Sequence, residues 1–322
     1  MLIANPSAGG GKVGRNWETY RNQVEAHFPT LECLSTSFQG HGRELAAKAA
    51  QAGATRVLSL GGDGTHNEIL NGLMEGTPHG ERPPQFGILP AGTGGDFRKV
   101  LYTSLQLSDC LEAMANRPVQ SIDIGLVEFN NHNGAPLQRY FLNIASVGIG
   151  GLIDDLVNKS SKRLGGRISF LIGTLKALFL YRAPELKVEL DGNPIFQGRV
   201  TNVLACNGRY AGGGMYFAPK ATLNSGKLSM VVIPKAGLVR QLTLTPKLYD
   251  GSYLAAEEIT GAEGKVITVS PADNGQPPAF LDIDGEAPGI APASFTVVPG
   301  AIDMLGVPES SLSQTAASDT PN

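Results

Sequence analysis

The chain has 322 residues, of which 42% are apolar and 17% charged, with a formal net charge of −3. That composition excludes a disordered chain, and the slight acidity weighs against a nucleic-acid partner, which calls for a basic face. The length exceeds what one core usually serves, so two domains are expected, and the odd number of scattered cysteines (Cys33, Cys110, Cys206) reads as reduced thiols in a cytoplasmic protein.

The N-terminus, Met1-Leu2-Ile3-Ala4-Asn5-Pro6, lacks the charged start and long apolar run of a signal peptide. Leu2-Ile3-Ala4 reads as a strand, followed by the glycine-rich stretch Asn5-Pro6-Ser7-Ala8-Gly9-Gly10-Gly11-Lys12. Gly9, Gly11 and Gly14 fit a dinucleotide fingerprint, with Glu32 further on, but that pattern is weak in a chain with 41 glycines. A Walker A loop is excluded because Val13 follows Lys12. Helical spacing covers Trp17 to Phe28 and Gly42 to Ala52.

Val57-Leu58-Ser59-Leu60 predicts a buried strand that runs into Gly61-Gly62-Asp63-Gly64-Thr65-His66-Asn67-Glu68, with a helix from about Thr65. A glycine turn between strand and helix exposes backbone N–H groups at a helix N-terminus, a natural seat for phosphate. Asp63 would repel phosphate unless a cation lay between them, so phosphate with Mg²⁺ is the reading. A ligand-free tight turn is the alternative. Against it stands another such loop, Pro90-Ala91-Gly92-Thr93-Gly94-Gly95-Asp96-Phe97, after the predicted strand Phe86 to Leu89. Loops that follow parallel strands gather at the carboxyl edge of the sheet, where ligands bind. There the Thr65 and Thr93 hydroxyls can donate to phosphate oxygens, and Asp63 and Asp96 can hold Mg²⁺ directly or through its waters. A helix over Cys110 to Ala115 completes a βαβα alternation.

The texture changes at about residue 122. Strands are predicted at 123–129, 139–144, 186–190, 201–206, 228–233, 265–269 and 280–284, with a hairpin turn at Asp191-Gly192-Asn193. A helical insertion at about 150–181 interrupts them. It contains Ile168 to Leu180, too short to span a bilayer, with Lys159, Lys162, Arg163, Arg167, Lys176 and Arg182 in or around it. That segment reads as a buried helix, or as one resting on an anionic membrane surface. The fold class expected is therefore α/β plus β: an α/β domain with a mainly parallel sheet over 1–122, then a β-rich, sandwich-like domain over 123–289. Residues 290–307 are expected to pack back on the first domain, and 308–322 to be a disordered tail.

Three groups of residues resemble the diacylglycerol kinase catalytic domain family, which includes bacterial diacylglycerol kinases, phosphatidylglycerol kinase-like proteins, and sphingosine and ceramide kinases. They are Asn5-Pro6…Gly9, then Gly61-Gly62-Asp63-Gly64-Thr65…Asn67-Glu68…Asn71-Gly72, then Pro90…Gly92-Thr93-Gly94…Asp96-Phe97. The later segments Phe141…Asn143…Ser146…Gly148, Asn207…Lys220-Ala221 and Asp284-Gly285-Glu286 are similar to that family as well. The resemblance implies transfer of the ATP γ-phosphoryl to a lipid hydroxyl with Mg²⁺, by an enzyme that visits membranes from the cytoplasm. A homodimer is compatible with it. The resemblance also makes 1–122 the nucleotide-binding domain and 123–289 the lipid-substrate domain. It implies ATP on Gly61, Gly62, Asp63, Gly64, Thr65, His66 and Asn67, with Asn5, Thr36, Gly92 and Thr93 contributing. It further implies Glu286 as proton acceptor, Asp63 as a second catalytic residue, and Asp63, Asp96 and Asp123 as the acids that organise Mg²⁺.

The chain departs from the family pattern at Gly95, where an asparagine is usual, and at Asn224-Ser225-Gly226-Lys227, where an Asp-Gly turn often binds a structural Mg²⁺. Two other functions share some of these features. A nicotinamide-nucleotide kinase also uses Gly-Gly-Asp-Gly-Thr, and a non-catalytic nucleotide or lipid sensor would retain the loops without the chemistry.

Overall fold

The structure is a computed structural model that describes residues 1–91, 95–102, 104, 106–153, 181–273 and 275–313. The N-terminal region alternates strands and helices. β1 (Leu2–Ala4) is followed by α1 (Ala8–Arg15) and α2 (Trp17–His27), then β2 (Cys33–Ser35), α3 (His41–Gln51), β3 (Arg56–Gly61) and α4 (Asp63–Gly76). β4 (Gln85–Pro90), α5 (Arg98–Leu101) and α6 (Leu107–Asn116) complete it. The strands lie in the order β4-β3-β1-β2, all parallel. Leu2, Ile3, Leu58, Leu60, Phe86 and Ile88 are fully buried between the helices. Such near-continuous apolar strands are what a parallel sheet covered on both faces requires.

The rest of the described chain is antiparallel. β5 (Gln120–Asn131), β6 (Pro136–Phe141) and β7 (Ile144–Gly148) precede β8 (Glu185–Leu190) and β9 (Asn193–Cys206). β10 (Tyr210–Ala211) and β11 (Met215–Tyr216) form a separate two-stranded ribbon. β12 (Leu228–Pro234), α7 (Leu238–Leu244), β13 (Thr260–Gly264), β14 (Val266–Pro271), β15 (Leu281–Ile283) and β16 (Gly289–Met304) follow. One layer holds β6-β5-β16-β14-β8 and the first half of β9, while the other holds β15-β7, the second half of β9, β12 and β13. Val127, Phe141, Val147, Val188, Val203, Ile267, Leu281 and Phe295 fill the space between them. The expected α/β plus β-sandwich class is thus the observed one. β16 joins the two sheets, pairing antiparallel with β5 and β14 and then parallel with β4 at Met304↔Phe86.

The predicted strand 139–144 is interrupted. β6 ends at Phe141 and β7 begins at Ile144, because the backbone N–H groups of Leu142, Asn143 and Ile144 donate to the Asp284 carboxylate. Disorder from residue 308 onward is also corrected over Glu309–Ser311, which forms a short 3₁₀ turn. Ser311 is buried there, and its hydroxyl donates to Val100 O at 2.5 Å. The hairpin forms as expected, with Asp191 and Gly192 both at positive φ (51° and 78°) between Leu190 and its partner Asn193. Most of the predicted helical insertion, including Ile168 to Leu180, lies outside the described residues. Among those that are described, no helix is long and apolar enough to cross a membrane.

Candidate active site

The site is built where the parallel strands end. Asn5, just past β1, donates through Nδ2 to Thr65 Oγ1 at 2.9 Å and accepts Ser7 N–H at 2.9 Å. Thr36, just past β2, is held by its N–H on Ala4 O at 2.9 Å. After β4, a Cβ on Gly9 would meet Ala91 O at 2.5 Å, so the first and third glycine loops touch. That contact requires glycine. Gly92 and Thr93 lie outside the described residues.

Gly62 is extended (φ −105°, ψ −178°) and caps α4, which begins at Asp63 and so earlier than the sequence suggests. Thr65 folds back over Gly61, where a Cβ would meet its side chain at 2.6 Å. Asp63 Oδ2 accepts the N–H groups of Gly95 (2.9 Å) and Asp96 (3.3 Å). Its Oδ1 is buried with no hydrogen-bond partner among the described residues. Burial, then the neighbouring Asp96, pushes the Asp63 carboxyl up to about 6. An anionic oxygen in that position is one a cation would satisfy, so Asp63 fits an Mg²⁺ ligand.

The other two acids differ from it. Asp96 is buried, and its oxygens meet Lys99 Nζ and Gly213 N–H, both at 2.7 Å. It therefore ties the β4 loop to the ribbon of the sandwich region. Asp123 is buried too, but it accepts Gly300 N–H at 2.8 Å and Gly226 N–H at 2.6 Å. The structure brings Asp63 and Asp96 together without gathering Asp123 into the same cluster, and no group of three or more His, Cys, Asp or Glu among the described residues is arranged around one metal position. At the departing turn, Ser225 Oγ donates to Lys227 O at 3.1 Å, and Asn224 Oδ1 accepts from Ser313 N–H at 2.6 Å.

His66 and Asn67 face away from the glycine loop. His66 is 3% exposed, and its Nδ1 lies 2.7 Å from Ser59 Oγ on β3. Burial pulls its pKa down to about 3, so the ring is neutral. Asn67 is fully buried and donates to Tyr140 O and to Asp284 Oδ2, both at 2.9 Å. Neither side chain is free to touch a nucleotide; their work is to seat α4.

Glu286 comes from the far end of the sequence. The turn after β15 carries Asp284 and Gly285 at positive φ (50° and 89°). Asp284 is held by three backbone N–H groups and Asn67, and burial pushes its pKa up. The turn so fixed sets Glu286 Oε1 3.3 Å from where a Cβ on Gly64 would lie. Glu286 Oε2 pairs with Arg139 Nη2 at 2.7 Å.

Sequence reasoning missed Arg139 and Lys99, and it placed Asn71 in the family-like motif without assigning it a role. Asn71 accepts Tyr140 N–H at 2.9 Å and donates to Tyr140 O at 3.0 Å. Its one-turn spacing from Asn67 was the available signal. Nothing local marks Arg139.

Fold and site together define an α/β unit with glycine-rich strand-end loops joined to a β-sandwich, with a carboxylate delivered across the junction. Residues 1–127 match the diacylglycerol kinase catalytic domain, and residues 143–306 match the YegS C-terminal NAD kinase beta sandwich-like domain. The chain belongs to the diacylglycerol kinase family, and its class of activity is that of a lipid kinase. It is 28% identical over 300 residues to a diacylglycerol kinase of Bacillus subtilis (strain 168), covering 91% of each chain. To a diacylglycerol kinase of Staphylococcus haemolyticus (strain JCSC1435) it is 26% identical, over 91% of this chain and 84% of that one. A crystal structure of a diacylglycerol kinase from Bacillus anthracis str. Sterne shares the fold, with a TM-score of 0.68, 22% identity and 97% of each chain covered.

Proposed function

We propose that this protein transfers the γ-phosphoryl of ATP to the hydroxyl of diacylglycerol, with Mg²⁺, at the junction of the two regions. The observation that carries the reading is the Glu286 carboxylate set against Gly64, in the first turn of the helix that offers a phosphate seat. The names of the relatives support diacylglycerol as the acceptor. The triphosphate lies on Gly61 to Thr65, its charge met by the α4 N-terminus. Asp63, with its unfilled Oδ1, holds Mg²⁺, which when bound neutralises charge on the phosphates. Glu286 takes the hydroxyl proton as the lipid oxygen attacks the γ-phosphorus and ADP leaves. The protein meets its substrate at a membrane surface.

The test is transfer of ³²P from γ-labelled ATP to lipid alcohols in mixed micelles with Mg²⁺. The panel holds diacylglycerol, phosphatidylglycerol, ceramide, sphingosine and monoacylglycerol. Labelled phosphatidic acid, lost in Glu286→Ala, is the expected result. Label on a different lipid would move the acceptor. Label on NAD, offered in a parallel reaction, with none on any lipid would overturn the reading.

A further inference from the structure

Arg139 carries an unexplained feature. Its side chain is only 17% exposed, and Nη2 is committed to Glu286. Its Nε, however, is buried and has no acceptor among the described residues. A guanidinium is always charged, and its Nε–H and one terminal N–H point the same way along one edge of the plane. An arginine that meets a carboxylate alone normally uses both, as Arg43 does with Glu75. Here Glu286 occupies only the Nη2 half of the edge, since its other oxygen is turned toward Gly64. The Nε half lies beside the carboxylate, buried and without an acceptor among the described residues. A buried donor left this way is unfavourable unless a ligand fills it.

The backbone around Arg139 is held in place. Both polar backbone groups of Tyr140, the next residue, are hydrogen-bonded to α4 through Asn67 and Asn71. The arginine is therefore anchored to the same helix whose first turn faces Glu286.

We propose that Arg139 is the group that binds the acceptor hydroxyl and aligns it with Glu286. This rests on the lipid kinase reading above and deepens it. The Nε–H donates to the hydroxyl oxygen of the lipid, while Nη2 holds the carboxylate alongside. The hydroxyl proton then faces Glu286 and passes to it. The oxygen forms its bond to the γ-phosphorus as the bond to ADP breaks. An exposed surface arginine paired for solubility would not bury its Nε.

Steady-state kinetics on wild type, Arg139→Met, Arg139→Lys, Glu286→Ala and the Arg139→Met/Glu286→Ala double variant test this, with ATP and diacylglycerol varied separately. Arg139→Met should lower kcat about 10²-fold, the scale of a misaligned reacting pair. It should raise KM for diacylglycerol and leave KM for ATP unchanged. In the Glu286→Ala background the same change should lower kcat no further, because the arginine works on the proton transfer that is already lost. Arg139→Lys keeps the charge but not the planar edge, so it should recover only part of the loss. Melting temperatures confirm that each variant is folded; should Arg139→Met fail that check, Arg139→Lys carries the same split of KM values. A rise in KM for ATP instead, or a full additional loss in the double variant, would overturn the assignment. If wild type itself labels no lipid, the lipid kinase reading fails and this inference falls with it. A labelled lipid with additive variants removes only the role of Arg139.

Discussion

Acidification should loosen α4 through one residue. His66 is buried against Ser59 with its pKa pulled down to about 3, against an ordinary value of 6.5. In the unfolded chain the imidazole takes up a proton as pH falls through 6.5, whereas in the folded protein it stays neutral. The unfolded state then binds more protons, so stability is full above pH 6.5 and falls as pH drops toward 3. Each pH unit is worth about 1.4 kcal/mol, so roughly two units below the ordinary value the loss is about 3 kcal/mol. Asp63 and Asp284 have raised pKa values and act in the opposite sense, so the wild-type curve alone does not isolate the histidine. The difference between wild type and His66→Gln does, because glutamine can still meet the Ser59 hydroxyl and does not titrate. Urea unfolding of both proteins should be followed between about pH 4.5 and 7.5 in the presence of a chelator. The stability advantage of wild type at neutral pH should shrink by about 3 kcal/mol at the acid end. A difference that stays flat with pH would refute the buried neutral imidazole and the seating of α4 on β3 that it represents.

Further outcomes follow from the same contacts. Asp63→Asn removes a carboxyl raised from 3.8 to about 6. Wild type therefore loses stability as pH rises through that window, and without divalent cation at neutral pH the variant should be more stable by about 3 kcal/mol. Mg²⁺ with ATP should raise the melting temperature of wild type but not of this variant. Asp284→Ala strands the N–H groups of Leu142, Asn143 and Ile144 and the Asn67 amide. At ~1 kcal/mol per stranded donor the loss is about 4 kcal/mol in urea unfolding, and a loss under about 1 kcal/mol would contradict the hub assigned to it. Gly72→Ala places a Cβ 2.2 Å from Arg43 O and should lower stability by about 2–3 kcal/mol as α3 is pushed off α4, whereas Gly237→Ala, with nothing within 4 Å, should be close to neutral by thermal melting.

The parallel half of the fold was legible because its signals are local. Apolar runs such as Val57 to Leu60 end in glycine loops, and the next helical pattern begins at once. β16 was not recognised as a strand, although it is the longest element of the sheet. Pro292, Pro299 and Gly300 break its pattern, and the pairing with β5 shifts register between Ile290 and Ala293 and again between Val298 and Ile302. The break at Leu142-Asn143 was hidden for a different reason: the carboxylate that takes those N–H groups sits far along the chain on Asp284. The candidate site divides the same way. Asp63 and Gly64 follow from a strand–turn–helix pattern, and Glu286 only from a resemblance. Arg139 could be found only once β6 was known to lie against α4.

The motif Thr65-His66-Asn67-Glu68…Asn71-Gly72 looks like a ligand-binding string, but its side chains serve a different task. Thr65 receives Asn5, His66 meets β3, and Asn67 and Asn71 hold Tyr140 and Asp284. Glu68 accepts the N–H groups of Gly40 and Gly42, at 2.8 and 3.2 Å, where α3 begins. Gly72 allows α3 to cross closely. All of these contacts fix one rigid helix, and its first turn alone is left to face Glu286. Gly64 and Asn71 are about 10 Å apart along that helix at ~1.5 Å per residue, so Glu286 and Tyr140 meet the same helix about two turns apart. Two kinds of variant are therefore distinguishable. Changes at His66, Asn67 and Asn71 should lower stability and activity together, because they release the helix. Changes at Arg139 and Glu286 should lower activity while the fold remains, because those groups are held by the frame and contribute little to building it.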